Sequence, residues 1–130
     1  MIAPLGFHHV AIQVRDVERV AGFYVGVLGL RELRRHLYED GRLRSIWVAA
    51  SSEPGERAFL AVEHLEGEGP RGALGYSMVA LRIAAAQRPA VEAALAEKGV
   101  AIERRTGWTL YVRDPEGNLV GLSHHPDAAP

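Results

Sequence analysis

The run His9-Val10-Ala11-Ile12-Gln13-Val14 returns as Met78-Val79-Ala80-Leu81-Arg82-Ile83, matched position for position. Each copy opens a segment in which a strand-like alternation hands over to helical spacing. A repeat longer than a hairpin means one supersecondary unit used twice. The copies differ at their first position, histidine in one and methionine in the other.

In the first copy, β-branched residues at 10, 12 and 14 share one strand face. Asp16 suits the cap of a following helix, because its carboxylate can accept from a free N–H of the first turn. Val17, Val20, Phe23 or Tyr24, Val27 and Leu28 then recur at helical spacing, and Gly29 supplies a stop. Strands are expected over 31–39 and 42–50, joined at the hairpin signal Asp40-Gly41. Another is expected over 57–65. The second copy predicts a strand over 75–83 and a helix from Pro89 to Gly99. Short strands over 100–105 and 108–113, the turn Asp114-Pro115-Glu116-Gly117-Asn118 and a closing strand over 119–123 follow. Residues 66–72 have the composition of a linker and 126–130 of a loose tail. Each half therefore reads βαβββ.

Alternation sends residues 10, 12, 14, 46, 48, 60 and 62 toward the first helix. It leaves 9, 11, 13, 47, 59, 61 and 63 on the opposite face. The second half sends Val79, Leu81, Ile83, Val120 and Leu122 to its helix, with Met78, Ala80, Arg82, Leu119, Gly121 and Ser123 opposite. Curled sheets would bring those second faces together around a shared cleft.

Composition narrows the partners. Fifteen basic and sixteen acidic residues nearly cancel, so no nucleic-acid or membrane surface is expected. Arg31, Arg34, Arg35 and His36 form one local basic patch, read as a solvated strand start with anion binding as the alternative. No cysteine is present, which removes thiolate chemistry, thiolate metal sites and disulfides. Residues 1–6 resemble no signal peptide and no apolar run approaches the roughly 18 residues of a membrane span. A cytoplasmic protein is expected.

Three stretches carry a resemblance: His9-Val-Ala-Ile-Gln-Val-Arg-Asp16, Phe23-Tyr24 with Leu28-Gly29-Leu30, and Asp114-Pro-Glu-Gly-Asn-Leu119. With the repeat, they make the chain similar to the vicinal oxygen chelate superfamily, which includes glyoxalase I, extradiol dioxygenases and bleomycin-binding proteins. The resemblance implies an α+β fold of tandem βαβββ modules with curled mixed sheets. It implies one glyoxalase-like domain, 1–130, with modules at about 7–66 and 73–125.

Metal-using relatives of the glyoxalase type carry four ligands, and the resemblance places these at His9, Glu63, Met78 and Gly121. Two of the four cannot ligate a hard divalent ion, since a thioether is too soft and glycine has no side chain. His9 and Glu63 remain as a weak candidate site for Zn, Ni, Mn, Mg or Fe, and as candidate acid–base groups. The expectation is no tightly held metal or other cofactor and no glyoxalase activity. His9, Gln13, Trp47, Phe59, Glu63, Met78, Arg82, Tyr111 and Leu119 are the candidate ligand-binding residues, a mixture of apolar walls and few polar groups that suits a small organic molecule. The bleomycin-binding branch implies a homodimer that sequesters its ligand. The alternatives are a divalent-metal-dependent lyase, isomerase or dioxygenase acting on vicinal oxygens, and a structural or regulatory partner protein.

Overall fold

A computed structural model describes residues 2–3, 5–67 and 76–128. The chain divides into two compact units, Met1–Pro70 and Arg71–Pro130. The end of the expected linker (68–72), residue 75 of the expected strand and residues 129–130 of the tail lie outside the described residues.

Unit 1 runs β1 (His9–Val14), α1 (Val17–Gly26), β2 (Glu32–Leu37), β3 (Leu43–Ala49) and β4 (Phe59–His64). Asp16 caps α1 by accepting from the Arg19 N–H at 3.0 Å. Beyond the helix Gly29 takes a positive φ of 74°, which a side chain would resist. The Leu30 N–H then closes the turn onto the Tyr24 carbonyl at 3.0 Å. The strands order as β1-β4-β3-β2, with β1 parallel to β4 and the other pairs antiparallel. α1 lies over β3 and β4. Val17, Val20, Ala21, Phe23 and Tyr24 are buried there, as are Ile46, Val48, Leu60 and Val62 of the two central strands.

Unit 2 repeats the plan. It runs β5 (Met78–Arg82), a 3-10 turn (Ala85–Gln87), α2 (Arg88–Glu97), β6 (Arg104–Arg105), β7 (Thr109–Arg113) and β8 (Leu119–Ser123). The order is β5-β8-β7-β6, again with one parallel pair, β5 with β8. Leu95 of α2 is buried, and so are Leu110, Val112, Val120 and Leu122. His124 is buried beside them, its Nε2 3.2 Å from Arg88 Nη1 and its Nδ1 2.5 Å from the Asp127 carbonyl. A guanidinium only donates, so Nε2 accepts and the ring proton sits on Nδ1.

Two expectations are corrected. The mixed sheets of the tandem βαβββ modules are open, not curled: each has four strands, and β1, β2, β5 and β6 remain edges. Four strands are about half of what the smaller closed barrels use. The burial of the repeated strands is also uneven. Val14 is buried, Ile12, Val79, Leu81 and Ile83 are half-buried, and Val10 is 39% exposed. The reason is position, because β1 and β5 are edge strands, and in unit 1 the helix covers the centre of the sheet.

Adjacent arginines on β2 part company. Arg35 lies level with Ile46 and so faces the helix, where its guanidinium meets both carboxylate oxygens of Glu18 at 2.7 Å. Its hydrogen bonds hold the Glu18 carboxyl below its ordinary range. The pair is exposed on both sides, so its contribution is small, present at neutral pH and lost as the pH falls through the glutamate range.

Candidate ligand-binding face

The face of unit 1 turned away from α1 carries a row of rings that crosses all four strands. His9 of β1 stacks on Phe59 of β4 with centroids 4.8 Å apart and planes 6° apart. Phe59 stacks on Trp47 of β3 at 4.3 Å and 23°. Trp47 meets His36 of β2 at 4.7 Å, tilted by 54°. These spacings follow the separation of neighbouring strands, about 4.8 Å. Side chains stand nearly upright on a sheet. Ring edges carry partial positive charge, and along the row His9 is exposed, Trp47 and His36 are half-buried and Phe59 is buried.

The rest of the face is polar at one level and small at another. Gln13, Glu63, Ser45 and His36 share a level of the ladder across the four strands. Ala11, Ala61, Trp47 and Arg34 share the next. Ser45 is buried, Glu63 half-buried and Gln13 exposed.

His9 and Glu63 are not brought together. His9 is level with Phe59, whereas Glu63 is level with Gln13. The four residue steps between these levels span on the order of 13 Å. His9 instead shares a proton with its neighbour, Nδ1 to Nδ1 of His8 at 2.9 Å. Among the described residues no three of His, Asp and Glu are grouped to hold a metal ion. The four positions that the resemblance assigns to metal ligands, His9, Glu63, Met78 and Gly121, do not supply the donor set that a chelated divalent ion needs.

The repeat explains part of this. With His9 matched to Met78, the register makes Ala61 the counterpart of Gly121 and Glu63 the counterpart of Ser123. Glu63 and Gly121 therefore stand at different levels of their sheets. Gly121 itself has ordinary room, since a Cβ there would lie 3.4 Å from that of Ala80.

In unit 2 the corresponding face carries Met78, 41% exposed, level with Leu119, which is half-buried. Tyr111 is half-buried and lies level with Gly121 and Ala80. The Arg104 guanidinium sits over its ring at 4.2 Å. Arg82 is exposed at the far end, level with Ser123. His125 is exposed and meets Trp108 edge to face at 5.5 Å. A shallow cavity of roughly 400 Å³ occupies another part of unit 1, between the first turn of α1, Leu43 and His64. It contains none of the candidate residues.

Sequence reasoning missed His36 and Arg34 as members of the unit 1 face. The signal that finds them is the register of the β2–β3 hairpin, which alternation alone does not supply.

Residues 6–122 match the family model described as the Glyoxalase/Bleomycin resistance protein/Dioxygenase superfamily. Among solved structures, the chain is similar to TnmS3, an antibiotic binding protein from Streptomyces sp. CB03234. The identity is 27% and the TM-score 0.70, covering 95% of this chain and 98% of that one. It is also similar to a glyoxalase/dioxygenase from Nostoc punctiforme, at 20% identity and TM-score 0.74, covering 98% and 97%. A lactoylglutathione lyase from Agrobacterium tumefaciens shares the fold at 19% identity and TM-score 0.67, covering 94% and 95%. No curated protein matches the chain. No helix among the described residues is long and apolar enough to cross a membrane.

Proposed function

The chain belongs to the Glyoxalase/Bleomycin resistance protein/Dioxygenase superfamily, and on that premise we propose that it binds a small, partly apolar organic molecule without a tightly held metal. The observation that carries this reading is the ring row His9, Phe59, Trp47 and His36 on the sheet face turned away from α1, where His9 is exposed, Trp47 and His36 are half-buried and Phe59 is buried. Gln13 and Glu63 add hydrogen-bonding groups at one margin. A flat ligand laid against the accessible edges of His9, Trp47 and His36 gains edge-to-face contacts. The likeness to an antibiotic binding protein at 27% identity supports the same reading. Met78, Arg82, Tyr111 and Leu119 form the equivalent proposal for the face of unit 2.

Chemistry of the glyoxalase type is not part of the proposal. Met78 and Gly121 cannot hold a hard ion, and His9 and Glu63 stand four residues apart along the ladder.

The test uses the two tryptophans of the chain, Trp47 and Trp108. In a Trp108→Phe background, Trp47 emission is titrated with planar aromatic compounds and with aliphatic alcohols of similar size. The expected result is saturable quenching by aromatic members only, with Kd below about 1 mM. Turnover of the glutathione–methylglyoxal adduct should stay at background with added zinc or nickel. An unresponsive Trp47 and an unchanged melting temperature across the panel would overturn the binding reading. Metal-dependent turnover would overturn the non-catalytic one.

Homodimerisation, a cytoplasmic location and independence of nucleic acid belong to the same proposal. The near balance of charge supports the last. The edge strands β1 and β5 support the first, with Val10 and Met78 exposed on them, because an open edge offers unpaired backbone groups to a second chain. Sedimentation equilibrium at micromolar concentration should give twice the mass of one chain, and a single species of one chain's mass would refute the dimer.

A further inference from the structure

The ring row has a cation at one side. Arg34 lies level with Trp47 on β2, and its guanidinium carbon is 6.0 Å from the Trp47 ring centroid. Among the described residues no carboxylate pairs with it. Arg35, the next residue, takes both acidic groups within reach, Glu18 and Glu32. A register shift between Glu32 and Arg34 decides the place of Glu32 in this division. It sets Glu32 level with Val48, on the helix side, instead of beside Arg34. The neighbouring groups on the ring face do not neutralise Arg34 either. His36 follows at the next level, with a buried Nε2 that has no hydrogen-bond partner among the described residues. Glu63 is two strands away.

From this arrangement we infer that the unit 1 face selects a planar aromatic acid, with the ring on the His9–Phe59–Trp47–His36 row and the carboxylate on Arg34. The inference rests on the binding reading above and adds the charge of the ligand. Three physical features converge on it. A guanidinium presents a flat fork of donors that matches a carboxylate with two parallel hydrogen bonds. At 6.0 Å from the ring the cation–π attraction is at its outer limit, so Arg34 is held near the rings while its donors stay available. The ring edges that stay accessible, at His9, Trp47 and His36, favour an electron-rich aromatic face. The same features disfavour basic ligands, which would place a cation beside Arg34.

Unit 2 repeats one element of the arrangement. Arg104 is level with Tyr111 and rests over its ring. No second ring stacks on Tyr111 among the described residues. A cation over an aromatic is thus common to both units, while the platform for a flat ligand is found in unit 1.

The experiment is calorimetric titration of the full chain with 2-naphthoate, 2-naphthamide and 2-naphthylmethylammonium. In the parent protein the acid should bind about tenfold or more tightly than the amide, and the ammonium most weakly. Arg34→Gln should bring acid and amide within about threefold, chiefly by weakening the acid, and Arg34→Lys should restore part of the preference. The comparison of acid with amide in the parent protein stands even if a variant fails to fold. Equal affinity for acid and amide, or a preference that survives Arg34→Gln, overturns the charge assignment and leaves the binding reading standing. No binding of any of the three compounds, or binding unaffected by Trp47→Ala, removes the binding face and this inference with it.

Discussion

Ile46→Ala should lower the free energy of unfolding by about 2–5 kcal/mol. Ile46 is 1% exposed on β3 and lies level with Val62 of β4, directly under α1. Removing its three outer carbons costs their transfer from water and leaves a void that backbone on both sides prevents from closing. Val10 is the matched control. It has the same helix-side parity, but sits on the edge strand at 39% exposure, so Val10→Ala should cost less than about 1 kcal/mol. Denaturant unfolding of both variants decides the point. Equal losses would mean that the centre of the sheet and its edge carry the same load, contrary to the placement of α1 over β3 and β4.

Asp114→Ala should cost about 2–3 kcal/mol, a large effect for a turn residue. Asp114 is 4% exposed, and its carboxylate accepts from the Glu116 and Asn118 backbone N–H groups, both at 2.9 Å. The Asn118 side-chain amide donates to the second oxygen at 2.7 Å. Hydrogen bonds to an ionised acceptor are stronger than neutral ones, and the substitution removes three of them from the half-buried turn. The turn also fixes where β7 ends and β8 begins, and hence the register that sets Arg113 level with Leu119 and Val112 with Val120. Asp114→Asn retains one acceptor oxygen and should lie between the parent and Asp114→Ala. A melting temperature within a degree of the parent for Asp114→Ala would show that the turn holds itself without the carboxylate.

Much of this architecture was legible in the chain alone. The repeated hexapeptide announced two like units because period-two alternation is a local property. Asp16 and Gly29 bounded α1 because caps and left-handed stops depend on one residue each. Asp40-Gly41 located the β2–β3 hairpin for the same reason. The site was legible only in part. His9, Trp47 and Phe59 were found by alternation, and the structure stacks them in one row. Alternation put Glu63 on the face turned away from α1, and the register sets it four residues along the ladder from His9.

What the tertiary structure alone decided was register. The Tyr38 N–H meets the Arg42 carbonyl at 2.8 Å and Leu37 lies level with Leu43. Counting on from there without interruption would set Arg34 level with Ile46 and turn it toward the helix. A shift between His36 and Leu37 moves the pairing by one, so that Arg34 faces Trp47 and Arg35 faces Ile46. One extra residue in a strand exchanges its two faces. No local preference of the residues involved encodes that extra residue, because it arises from fitting β2 against β3 over their whole length. Which of two adjacent arginines is neutralised by Glu18, and which is left beside the rings, was settled there.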